Sequence, residues 1–161
     1  MNLEIINELK SKMDSYRPLS LEQIKEVERQ KKLEHVWSSA AIEGNTLSKF
    51  ETISILETGL TVSGKSIKDH LEIIDLSLAF DFIKDLSLNI NDLDERTLRE
   101  INRIVTLKTT DNEAHAGLYR VSNAYPKGYP NKEYTLPFLI KDEIEQYICW
   151  YNSKGKQEII Q

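Results

Sequence analysis

A chain of 161 residues with 40% hydrophobic and 29% charged side chains has room for one core-bearing domain with an appended segment, and its composition excludes intrinsic disorder. A formal net charge of -5 argues against a binder of nucleic-acid backbones, which needs a clustered basic surface. No stretch approaches the apolar length of a membrane span and the lone Cys149 has no disulfide partner within the chain, so a reducing, cytoplasmic setting is expected, with neither nucleic acid nor membrane as partner.

The amphipathic N-terminus reads as a helix: Leu3, Ile6, Leu9 and Met13 recur at helical spacing up to the break at Pro18. Ser20 followed by Gln23 is a capping-box signature, and Leu21, Ile24, Val27, Val36, Trp37 and Ala40 then carry an apolar stripe to Glu43, where Gly44 closes the helix. Ser48 with Glu51 makes a second capping box for a short helix through Leu56. Beyond a polar loop, Ile67, Leu71, Ile74, Leu78, Phe82 and Leu86 trace a long helix expected to be the main core element.

Asp94 caps a further predicted helix bearing Leu98, Ile101 and Val105. From Tyr119 the character changes: β-branched and aromatic residues mix with Pro126 and Pro130, which predicts an edge hairpin with a wide loop. Pro137 precedes a last helix with Ile140, Ile144, Tyr147, Ile148 and Tyr151, in which Cys149 is expected as a buried thiol. Ile159 and Ile160 follow a polar break with too little chain to bury them, which gives an abrupt end. The expected fold is all-α, mainly helical, with one small β-hairpin.

Residues 59–66, "GLTVSGKS", match the phosphate-loop pattern G-x-x-x-x-G-K-S at every fixed position. The preceding "SKFETISILE" opens with a helix cap rather than reading as a buried parallel strand, so an ordinary turn is expected, with Ser66 capping the next helix. His35, His70 and His115 lie at no metal-ligand spacing from one another or from Cys149, and no metal site is expected.

Glu43 is the residue that breaks a rule. A carboxylate in the last turn of a helix meets the negative pole of the macrodipole, where a basic residue is ordinary. Small residues in "SSAA" are explained by close helix packing and Gly44 by capping, but Glu43 is favourable there beside a strong cation, best an arginine that can hold both oxygens.

Residues 39–44, "SAAIEG", together with the surrounding "VWSSAAIEGNTLS", then "SGKSIKDHLEII", "HAGLYR" and "YTLP", resemble in order the N-terminal part of Fic-domain (Fido) proteins of the class that carries its inhibitory helix ahead of the catalytic core. The resemblance implies a Fic-like helical fold in two regions, an N-terminal helical region with the inhibitory motif at 1–90 and an incomplete N-terminal part of a Fic core at 91–161. It implies an inhibitory set of Ser39, Glu43 and Gly44, a core turn at Gly117 and Arg120, and a target-docking flap at Val121, Ser122, Tyr134, Thr135 and Leu136. In the complete family enzyme, AMP passes from ATP, with Mg, onto a hydroxyl of a protein target, and the glutamate pairs with an arginine of the catalytic loop so that ATP cannot bind productively.

The family's signature H-x-F-x-D/E-G-N-G-R begins at none of the three histidines, so no catalytic residue is assigned in this chain. The chain alone is expected neither to bind ATP in the family's manner nor to transfer AMP, which leaves open whether it is an enzyme. The expectation is an N-terminal fragment or a natural remnant holding the regulatory and target-docking half of a self-inhibited protein AMP-transferase, with a homodimer possible. The alternative is a non-enzymatic helical interaction module, or an antitoxin-like module supplying its inhibitory glutamate in trans.

Overall fold

The computed structural model describes residues 3–89, 92–110, 112–126, 128–129 and 131–155. Along them run α1 (Leu3–Asp14), α2 (Leu21–Ile42), α3 (Lys49–Thr58), α4 (Ile67–Asn89), α5 (Glu95–Thr106) and α6 (Ile140–Trp150), with short 3-10 turns at Glu113–His115 and Pro137–Leu139 and a π turn at Tyr151–Gly155. No described helix is long and apolar enough to cross a membrane.

The helix starts follow the local chemistry. Both capping boxes form reciprocally: Ser20 Oγ accepts the Gln23 N–H at 3.2 Å while Gln23 Oε1 accepts the Ser20 N–H at 2.9 Å, and Ser48 and Glu51 repeat the exchange at 3.3 and 2.7 Å. Asp94 accepts the Thr97 N–H at 2.6 Å to open α5.

The core joins Val36 and Ala40 of α2, Leu47 of the following connection, Ile55 of α3 and Ile73 of α4. Helix α4 packs against α2, α3 and α5. Contact from three sides shifts its buried face from the expected stripe: His70, Ile73, Asp75, Ser77 and Ala79 are buried, while Ile67 and Leu78 are exposed. Ser77 and Ala79 are small enough to let neighbouring helices approach. Lys32 to Asp81 at 2.6 Å and Lys84 to Glu28 at 2.7 Å lace the rims of α2 and α4, exposed pairs worth about 0.2–1 kcal/mol each.

Two expectations are corrected. The β-hairpin is absent: among the described residues of 119–136 there is no strand. A backbone hydrogen bond from the Tyr134 N–H to the Ala124 carbonyl at 3.0 Å joins the arms, and Pro126 cannot donate, so a ladder does not propagate from it. Cys149 is exposed rather than buried, because α6 covers itself against α5 and its own flanking turns and leaves that face open.

Candidate functional site

The end of α2 decides where Glu43 stands. The Asn45 N–H reaches the Ala40 carbonyl at 3.0 Å and the Gly44 N–H reaches the Ala41 carbonyl at 3.1 Å, with Gly44 at φ +93°. This bond pair is a Schellman motif, which requires the left-handed residue at Gly44 and makes Glu43 the C-cap. The next residues are pinned to α4. Asn45 Nδ2 donates to the Asp69 carbonyl at 3.0 Å and to Glu72 at 2.9 Å, its Oδ1 accepts the Leu47 N–H at 3.0 Å, and the Thr46 hydroxyl donates to Asp69 at 2.6 Å.

On this fixed backbone the Glu43 side chain is exposed, with no hydrogen bond or ion pair among the described residues. The last turn of α2 contains no basic residue. An anion at this pole costs about 0.3–1 kcal/mol, so the helix gains nothing from Glu43. Ser39 is half-buried and meets Glu43 through the backbone, its carbonyl 3.4 Å from the Glu43 N–H.

Acidity is tuned around this connection. Thr46, with Ser66 and Lys65 behind it, holds the Asp69 carboxyl below its ordinary range, and the backbone N–H and hydroxyl of Ser48, then Lys65, do the same for Glu51. Depressed carboxylates contribute stability above their ordinary range and lose it as pH falls through the lowered values. The protection factors of residues 44–48, taken against the intrinsic exchange rate at each pH, should therefore hold steady near neutrality and fall progressively below about pH 4; protection factors unchanged down to about pH 2 would contradict this.

The second group of residues surrounds Gly117, at φ +75°. Its N–H donates to Asn102 Oδ1 at 3.1 Å and its carbonyl accepts from Arg99 Nε at 2.8 Å, which fastens the turn to α5. Arg99 also lies over the Tyr119 ring, 5.7 Å from its centroid, while burial and then Glu95 push the Tyr119 phenol up. From this anchor Arg120 donates to the Ser122 carbonyl at 2.8 Å and to the Thr135 carbonyl. Val121 is 94% and Tyr134 54% exposed, Ser122 is exposed, and Thr135 and Leu136 are half-buried. The Thr135 hydroxyl donates to Glu143 of α6 at 2.8 Å.

The phosphate-loop lookalike is a turn between helices. Gly59 ends α3 in the left-handed region, Lys65 is engaged by the Thr46 carbonyl and lies 3.7 Å from Glu51, and Ser66 Oγ accepts the Asp69 N–H at 3.0 Å. Buried His70 ties the turn down: Nε2 accepts the Val62 N–H at 2.9 Å, and Nδ1 lies 2.7 Å from the Ser66 carbonyl. These bonds require the neutral tautomer with the proton on Nδ1.

The sequence assigns no role to Asn45 or Asp75. An asparagine directly after a helix-ending glycine was the available signal for the first. For Asp75 there was none beyond its place inside a helix; it is 1% exposed and pairs with Lys108 Nζ at 2.7 Å. Lys108→Met strips a buried carboxylate of this partner and should cost about 2 kcal/mol, less than a fully buried pair because Lys108 itself is 41% exposed. Urea denaturation measures it, and a cost under about 0.5 kcal/mol would contradict the pairing.

No protein-family model matches the chain. It is 35% identical over 133 residues to "Protein adenylyltransferase Fic" of Aedes aegypti, an alignment covering 81% of this chain and 26% of that protein. The protein of the same name from Culex quinquefasciatus is 37% identical over 107 residues, 66% of this chain and 21% of that protein. The chain thus spans about a quarter of the length of these relatives. Among solved structures, a Fic domain containing signaling protein from Bacteroides thetaiotaomicron superposes with a TM-score of 0.83 at 26% identity, covering 97% of this chain and 59% of that one.

Proposed function

We propose, from the premise that the chain belongs to the Fic-domain proteins, that it is the self-inhibiting and target-docking part of a protein adenylyltransferase, with Glu43 as the brake. The observation that carries this reading is the exposed Glu43 carboxylate, held on a fixed backbone at the negative pole of α2 with no cation beside it among the described residues. A carboxylate so placed is an acceptor for a guanidinium from another segment, and a bidentate pair with it is short, directional and charge-assisted.

In the reaction the family resemblance implies, a target hydroxyl attacks the α-phosphorus of ATP, the bond to pyrophosphate breaks and the hydroxyl proton passes to a base. A guanidinium that would hold the outer phosphates is, in the braked state, occupied by Glu43, so the nucleotide loses the pose needed for in-line attack. The residues beside Glu43 do not build a nucleotide site themselves: the N–H groups of Gly44 and Asn45 are spent on the helix end, and no step of the transfer is assigned to them. The loop 121–136 contributes the docking surface, its backbone pairing with an extended segment of the protein target.

A second reading rests on the same exposed carboxylate: Glu43 is lent in trans to a guanidinium of a separate catalytic chain. Labelled-AMP transfer separates the two. In the first case, the whole gene product is silent with Glu43 and active with Glu43→Gly; in the second, adding the 161-residue chain silences a separate active chain.

A further inference from the structure

We infer that Arg120 is the positioning residue of the docking loop, the side chain that sets the spacing of its two arms in place of a β-ladder. This rests on the reading of 121–136 as the target-docking surface and adds what holds that surface in shape. The ordinary way to fix two arms of a hairpin is a run of paired backbone groups. Here the described residues of 119–136 contain no strand, and the Tyr134 to Ala124 bond lies farther along the loop.

The base of the loop is closed by a side chain. Arg120 follows the Gly117 turn, which is welded to α5 through Asn102 and Arg99, so the guanidinium starts from a rigid point. One nitrogen donates to the Ser122 carbonyl on the incoming arm at 2.8 Å and another to the Thr135 carbonyl on the outgoing arm. A planar fork with donors at fixed angles can hold two carbonyls at a set separation, which a lysine ammonium on a flexible stem cannot.

The two clamped positions are each preceded by an exposed apolar side chain, Val121 at 94% and Tyr134 at 54%. Fixing the Ser122 and Thr135 carbonyls therefore fixes where Val121 and Tyr134 stand. The fitting occupant is an extended peptide segment carrying apolar side chains, its backbone running along the loop. Arg120 acts on such a segment through the loop, where two of its donors are spent on the arms.

The test uses the whole gene product in the Glu43→Gly background, with a tagged second copy of the same protein as AMP acceptor, and compares Arg120 with Arg120→Lys and Arg120→Gln. The expected result is a rise in KM for the acceptor of about tenfold in both variants, the size of one lost charge-assisted hydrogen bond, with ATP affinity by calorimetry unchanged. Hydrogen exchange should quicken across 121–136 and stay slow in α2 to α4. An unchanged acceptor KM despite a loosened loop overturns the inference, as does an equal loss of ATP affinity. If Glu43→Gly itself transfers no AMP, the functional reading falls; exchange in Arg120→Lys then decides the clamp alone, and unaltered protection of 121–136 overturns it.

Discussion

Glu43→Gly in the whole gene product is expected to raise AMP transfer from ATP at least tenfold, with little change in folding. Releasing a guanidinium from a charge-assisted pair returns on the order of 1.5–3 kcal/mol to nucleotide positioning, and each 1.4 kcal/mol is a factor of ten. The fold has no comparable stake in the residue. Glu43 is exposed and caps a Schellman turn whose bonds are all backbone, so the substitution should shift stability by less than about 1 kcal/mol. Glu43→Gln, which keeps the shape and one acceptor but loses the charge, should release the brake in part. Labelled-ATP transfer measures all three proteins, and equal labelling would remove Glu43 from the regulation.

Gly117→Ala is expected to destabilise the chain by about 3 kcal/mol. A left-handed φ of +75° costs an alanine about 1–2 kcal/mol. The added Cβ would also stand 2.8 Å from the Arg99 carbonyl oxygen and 2.9 Å from Arg103 Cβ, and relieving that crowding means moving α5, which adds about 1–3 kcal/mol. Gly44 is the internal control: its φ is +93° but nothing lies within 4 Å of its missing Cβ, so Gly44→Ala should cost the backbone part alone, about 1 kcal/mol. Urea denaturation of both variants makes the comparison. Equal costs at the two glycines would show that the Gly117 turn is not packed against α5 as described.

The helices were legible because their signals are local. Ser20 with Gln23, Ser48 with Glu51 and Asp94 mark starts by chemistry that depends on three or four consecutive residues, and Gly44 marks an end the same way. Facing was harder. The stripe on α4 predicts burial of Ile67 and Leu78, yet contact with α2, α3 and α5 places Ile73, Asp75 and Ala79 inside; a helix covered from three sides is not described by one apolar stripe. The loop 119–136 misled because its composition suits a strand, while its arms are tied by Arg120, a long-range choice that no periodicity reports. Glu43 stood out by violating a local rule, and the structure supplies the other half of that observation: a carboxylate with no cation beside it among the described residues, on a backbone that cannot drift.

The most direct measurement is a crystal structure of the whole gene product with Glu43 in place and ATP withheld. The expected result is the Glu43 carboxylate about 2.7–2.9 Å from the nitrogens of an arginine outside 1–161, in a two-pronged pair. A Glu43 side chain surrounded by water, with every such arginine more than a salt-bridge distance away, would contradict the brake.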